Sequence, residues 1–233
     1  MRITGIQKLT LLDYPGAVAC TLFTGGCNFR CPFCHNALLV DPKRVASEGE
    51  LPTEEVMAFL KKRFGVLDGV AITGGEPLLH SDMPELLRQI KALGYRIKLD
   101  TNGSNPELLR QILDEKLVDR VAMDIKNSPA LYAKTTGRRD LDLAAIEKSK
   151  DLLLNGSVEY EFRTTVVKGL HTRESLIEAA EWIKGAKEYY LQQFKDSGDL
   201  IEGEGLGAFD EKEMHELCDE VRKIIPAAEV RGV

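Results

Sequence analysis

The chain has 233 residues, 43% of them hydrophobic, and a formal net charge of -6. That length can bury one sizeable core, and an α/β barrel can use all of it, so a single domain spanning 1–233 is expected. The acidic balance removes the phosphate attraction on which most nucleic-acid binders rely, and no apolar run approaches the roughly 20 residues of a membrane span. The first eight residues lack the apolar core of a secretory signal, so the cytoplasm is the expected location, with neither membrane nor nucleic acid as a partner.

In chain order, Leu11-Leu12-Asp13-Tyr14-Pro15-Gly16 reads as a turn before a first predicted strand, Ala17 to Phe23. Further short β-branched or apolar runs predict strands at Gly69 to Thr73, Tyr95 to Leu99, Arg120 to Asp124, Glu159 to Val167 and Lys187 to Gln192. Between them, Thr53 to Phe64, Asp82 to Leu93, Asn105 to Glu115, Leu141 to Leu154 and Thr172 to Lys184 carry helical periodicity, several with a capping residue or an early proline. Alternation of this kind implies a parallel sheet with crossover helices. Six steps, two short of a full barrel, predict a partial (β/α)6 TIM-like barrel with a wide lateral opening. The glycine-rich stretch 197–207 is too polar to pack as an element and is expected to edge the barrel mouth or to be a plain surface loop. A final helix, 211–225, gathers Met214, Leu217, Cys218, Val221, Ile224 and Ile225 on one face before Pro226, which makes Cys218 a core residue. His80, His171 and His215 read as ordinary surface residues.

Three of the five cysteines fall within eight residues, Cys27-Asn28-Phe29-Arg30-Cys31-Pro32-Phe33-Cys34, in a loop (24–36) that leaves the first predicted strand through Gly25-Gly26. An odd total and this crowding argue for metal chemistry in a reducing compartment rather than for a disulfide framework. A loop can turn all three sulfurs of C-x3-C-x2-C toward one 4Fe-4S cluster, leaving one iron without a protein ligand. An electron-transfer ferredoxin closes its cluster with a fourth cysteine, but Cys20 lies inside a strand and Cys218 on an apolar helix face. The competing reading is a Cys3His zinc site with His35, which would crowd four ligands into nine residues without the usual pair of separated couples.

C-x3-C-x2-C with Phe33 before the last cysteine resembles the signature of the radical S-adenosylmethionine (SAM) superfamily. The surrounding Phe23-Thr24-Gly25-Gly26-Cys27-Asn28-Phe29-Arg30-Cys31-Pro32-Phe33-Cys34-His35-Asn36 is similar to the branch that activates glycyl-radical enzymes, in particular anaerobic ribonucleotide reductases. The resemblance implies that Cys27, Cys31 and Cys34 hold a 4Fe-4S cluster whose open iron binds SAM. A barrel enzyme collects its working residues at the C-terminal strand ends, and those ends agree with it. Gly74-Gly75-Glu76 looks like the motif that receives the methionyl amino group, with Asp100 and Asn102 at the next strand end. By the same resemblance Lys126 meets the SAM carboxylate, and Asp100 with Asp124 holds a monovalent cation. Arg163, and Thr165 near the adenosine, reach SAM from the fifth predicted strand. An Asp124–Lys126 salt bridge at the rim is the simpler alternative. At Gln192-Gln193-Phe194 the chain departs from relatives that carry a histidine there, and Asp13 matches the acid that binds the partner's glycine loop.

The resemblance therefore implies an activase that installs a glycyl radical on an anaerobic ribonucleotide reductase, with reduced flavodoxin or ferredoxin as electron donor. The alternatives are a radical SAM enzyme acting on a small molecule, such as a deazapurine synthase, and an iron–sulfur electron-transfer protein.

Overall fold

A computed structural model describes residues 2–40, 49–196 and 198–233; Ser197, the first residue of the predicted glycine-rich loop, lies outside them. The strands are β1 (Ile3–Thr10), β2 (Ala19–Thr24), β3 (Gly69–Gly74), β4 (Arg96–Thr101), β5 (Arg120–Asp124), β6 (Glu159–Val166), β7 (Tyr189–Gln193) and β8 (Ala228–Arg231). The helices are α1 (Ala37–Val40), α2 (Thr53–Arg63), α3 (Met83–Ala92), α4 (Pro106–Asp114), α5 (Tyr132–Thr135), α6 (Leu143–Leu154), α7 (Arg173–Trp182) and α8 (Glu211–Arg222). Single 3-10 turns occupy Pro77–Leu79 and Pro129–Leu131.

The strand order is the chain order, β1 through β8. All six predicted strands and five intervening helices form, and the mixed α/β class is borne out; β1 and β8 are additional. β1 runs antiparallel to β2 with two register shifts, and its burial does not alternate along the strand. β8 has only four residues, between Pro226 and Gly232. Neither carries the period-2 signal by which a strand is read.

The chain divides into two compact units. The first comprises Met1–Asn28, Leu38–Ala122 and Ser157–Glu159; the second comprises Phe29–Ala37, Met123–Gly156 and Tyr160–Val233. In the first, β2, β3 and β4 are parallel, with Thr24 opposite Gly74 and Ile72 opposite Leu99. This register brings the chain leaving β2, the Gly-Gly-Glu turn and the 100–104 segment out at one level. α3 packs through Met83, Leu86, Leu87 and Ile90, a 3.6-period stripe. Asn105 caps α4 by accepting from the Leu108 N–H at 3.2 Å.

In the second unit, β6, β7 and β8 are parallel, with Thr165 opposite Gln192 and Gln192 opposite Arg231. Capping boxes fix the starts of α7 (Thr172 with Ser175) and α8 (Asp210 with Glu213). Cys20 and Cys218 are fully buried, as core residues should be.

Candidate active site

The first unit supplies Cys27, the glycine turn and the end of β4. Gly75 lies so close to the cysteine loop that a β-carbon on it would collide with the Gly26 carbonyl. Gly74 sits at φ 121, where a β-carbon would meet the Thr24 backbone. Two backbone bonds zip the loops together, Gly75 N to Thr24 O and Glu76 N to Gly26 O, both 2.8 Å. The paired glycines are thus required by close approach of backbone to backbone.

Glu76 is 1% exposed. Its carboxylate accepts from the Leu78 N–H (3.1 Å), the Thr101 hydroxyl (2.6 Å) and the Asn102 N–H (2.7 Å). The Asn102 amide Nδ2 donates to Asn28 Oδ1 at 2.9 Å and lies 3.9 Å from Cys27 Sγ. Asp100 receives a bond from the buried Lys98 ammonium at 2.5 Å. Asp13, at the turn after β1, accepts from the Thr21 hydroxyl at 2.5 Å, and Leu11 and Leu12 beside it are 68% and 87% exposed.

The second unit holds Cys31, buried, and Cys34, joined by a turn in which Cys34 N donates to Cys31 O at 3.0 Å. Burial raises the Cys34 thiol above its ordinary range, with the nearby Lys126 charge acting the other way. Lys126 Nζ stands 5.9 Å from the Phe33 ring centroid and 2.9 Å from Asp124 Oδ2. Arg163 Nε reaches Asp124 Oδ1 at 3.1 Å. Burial disfavours the Asp124 charge, but the Lys126 and Arg163 cations outweigh it and hold the carboxyl at about 2. Burial likewise opposes the Lys126 charge, and Asp124 outweighs it, lifting the ammonium above its ordinary range. The Thr165 hydroxyl accepts from Gln192 Nε2 at 3.5 Å.

The predicted site residues accordingly lie at strand ends or in loops beyond them, except Arg163 and Thr165, which lie within β6. Asp100 and Asp124, predicted to share a cation, each have a cationic side chain of their own within their unit. One expectation is corrected. His171 is buried, with Nδ1 accepting from the Val167 N–H at 3.1 Å and Nε2 2.8 Å from the Lys126 carbonyl; it braces the backbone at Lys126. His80 is half-buried, its Nε2 3.0 Å from the Gly25 carbonyl, and of the three only His215 is exposed.

Sequence reasoning also misses Glu161, which is buried and clasped by Arg231 through two contacts at 3.1 and 3.3 Å. Its signal is present, because Glu161, Arg163 and Thr165 form one polar period-2 stripe on β6. The Glu202 N–H donates to the Pro32 carbonyl at 3.0 Å, so the glycine-rich stretch is tied to the cysteine loop.

The donor set fits a four-iron cluster: three thiols that form no disulfide, at C-x3-C-x2-C, on a loop held by backbone bonds. Among the described residues no group of three or more His, Cys, Asp or Glu side chains is gathered as for a metal ion. No helix among the described residues is long and apolar enough to cross a membrane.

The family model of the Radical SAM superfamily matches residues 21–183. A Methanocaldococcus jannaschii protein provisionally named a glycyl-radical enzyme activating enzyme is 33% identical over 99% of this chain and 96% of its own. A probable GTP 3′,8-cyclase of Thermococcus kodakarensis is 31% identical over 65% of this chain, which spans 48% of that protein. Among solved structures, Streptococcus suis SuiB bound to S-adenosylmethionine superposes with a TM-score of 0.68 at 16% identity, covering 89% of this chain and 48% of SuiB. At that identity the likeness speaks for the fold, and the partial α/β-barrel class is borne out.

Proposed function

The chain belongs to the radical SAM superfamily, and from that premise we propose that it is an activase that installs a glycyl radical on an anaerobic ribonucleotide reductase. The observation that carries the reading is end-to-end agreement with a relative named for glycyl-radical activation, 99% of one chain against 96% of the other.

Cys27, Cys31 and Cys34 hold the 4Fe-4S cluster. When bound, that cluster would supply one-electron reductive cleavage of the SAM sulfonium, with flavodoxin or ferredoxin as the electron source. The chain's residues bind and orient. By the resemblance, the Gly74-Gly75 backbone with Glu76 and Asp100 is assigned to the methionyl ammonium of SAM, and Lys126 with Arg163 to its carboxylate. Asn102 borders the first cysteine, and by the resemblance Phe33 and Thr165 are assigned to SAM binding, Thr165 near the adenosine.

Asp13 accepts backbone N–H bonds from the partner's extended glycine segment, and exposed Leu11 and Leu12 give that segment an apolar footing. The glycine Cα–H bond then breaks as the 5′ C–H bond of 5′-deoxyadenosine forms, and the radical stays on the glycine between two amides. The test is anaerobic reconstitution with SAM, reductant and the reductase. The expected result is a glycyl doublet in electron paramagnetic resonance and, with α-deuterated glycine, deuterium in 5′-deoxyadenosine.

A second reading is a small-molecule radical SAM enzyme, favoured by the relatives named GTP 3′,8-cyclases. No doublet with any glycyl-radical partner, together with turnover of a purine nucleotide, would establish that reading and refute the first.

A further inference from the structure

Glu76 is a buried carboxylate whose hydrogen bonds go largely to the end of β4. Its two oxygens accept from the Thr101 hydroxyl and the Asn102 N–H at 2.6 and 2.7 Å. Thr101 Oγ1 in turn accepts from the Gly103 N–H at 3.1 Å, so the turn after the strand is fixed from the same carboxylate.

The Asn102 side chain is thereby oriented without ambiguity. Its Oδ1 is occupied by the Ser104 N–H at 2.9 Å, which leaves Nδ2 as the end that faces the cysteine loop. There it donates to Asn28 Oδ1 at 2.9 Å and comes within 3.9 Å of Cys27 Sγ, the distance range of an N–H···S bond. All these residues belong to one compact unit.

We propose that Glu76 and Asn102 form a positioning relay for the first cluster ligand, in which Glu76 locks the end of β4 and Asn102 aims an amide N–H at Cys27 Sγ. Resting on the proposed cluster site, this gives Asn102 a second task, because hydrogen bonds to cluster sulfurs are among the factors that set a cluster's reduction potential. Reduction adds negative charge to the cluster, and a donor aimed at a ligand sulfur stabilises it. Removing the donor therefore lowers the midpoint potential and makes the electron harder to deliver. Asn102 contributes through a neutral amide, so the effect is graded rather than all-or-none.

Two measurements test the relay on Asn102→Ala, Asn102→Asp and Glu76→Gln. On the metal-free chain, amide hydrogen exchange over residues 25–28 should speed up about five- to tenfold in Asn102→Ala and Glu76→Gln, the loss of one ordinary hydrogen bond, while α3 keeps wild-type protection. On the reconstituted chain, the midpoint potential should fall in both. In Asn102→Ala the reduction equilibrium should change by about three- to tenfold, the larger figure being 59 mV for one electron. It should fall further in Asn102→Asp, which keeps the Ser104 bond but replaces the donor by a negative charge. The Glu76→Gln and Asn102→Ala effects should not add, since one acts through the other. Wild-type exchange over 25–28 in both variants, or a wild-type potential in Asn102→Ala, overturns the relay. A wild-type chain that takes up no cluster refutes the proposed function instead, and the exchange measurement then decides the relay by itself.

Discussion

Lys126 is the residue at which a ligand role and a purely structural role make opposite predictions. Replacing it by Met keeps an unbranched side chain of similar length and removes the ammonium, which lies 5.9 Å from the Phe33 ring centroid and 2.9 Å from Asp124. Asp124 would not be left with an uncompensated charge, because Arg163 Nε and one of its terminal nitrogens both stand 3.1 Å from its other oxygen. The stability cost should thus be small, about 1 kcal/mol or less, well short of the roughly 3–5 kcal/mol of a buried charge stripped of its only partner. A SAM carboxylate that loses the ammonium loses a charge-assisted hydrogen bond of about 1.5–3 kcal/mol, or roughly ten- to a hundredfold in affinity. Calorimetric titration of SAM into cluster-loaded Lys126→Met protein, beside a thermal melt of the same sample, measures both. Weakened SAM binding with a melting temperature close to wild type is expected. A lowered melting temperature with unchanged SAM affinity would refute the reasoning and return Lys126 to a salt bridge.

Cys27→Ser, Cys31→Ser or Cys34→Ser should each abolish the reconstituted four-iron spectrum, whereas Cys20→Ala and Cys218→Ala should retain it at some cost in thermal stability; iron and sulfide analysis checks the first and a melt the second. Gly75→Ala should displace the Gly26 carbonyl, costing about 1–3 kcal/mol in denaturant unfolding and lowering iron uptake, and an unaltered variant would show that the close approach is not required. Asp124, held at about 2 against its ordinary 3.8, binds its proton more weakly in the folded chain than in the unfolded one. Its contribution to stability is therefore complete above about pH 4 and is lost as pH falls toward 2. Denaturant titrations of Asp124→Asn should show a flatter dependence on pH in that window than wild type. Asp13→Ala should slow partner activation more than partner-free SAM cleavage, measured by the glycyl doublet and by 5′-deoxyadenosine in parallel.

The β-branched runs of β2 to β7 and the amphipathic stripes of α3 and α8 are legible because burial imposes a period on the sequence. β1 is not, since an antiparallel strand with Gly5, Gln7 and Lys8 and two register shifts has no such period to show. The site residues at strand ends can be named from position and chemistry, but their partners cannot. Position marks Glu76 as a charge for a ligand, yet two of its three donors lie on β4 and the segment beyond it and come close only after folding. His171 escapes for the same reason, its two backbone partners being set by the paths after β5 and β6 rather than by its neighbours.

Within the second unit the candidate carboxylate-binding cations are paired, Lys126 and Arg163 both with Asp124. A ligand carboxylate can enter such an arrangement by taking the place of Asp124 beside Lys126, so that no charge is desolvated without an opposite charge beside it. A ligand without a carboxylate would make no such exchange and would lose that attraction. The pairing thus favours discrimination over raw affinity, in line with the general behaviour of buried ion pairs at binding sites. On the proposed reading the carboxylate of SAM is what such pairing selects. A SAM analogue lacking the carboxylate should therefore bind wild type at least as weakly as SAM binds Lys126→Met, and should bind the variant no more weakly than it binds wild type. Competition binding against SAM with both proteins checks this, and a further loss of analogue affinity in the variant would show that Lys126 acts on some other part of the ligand.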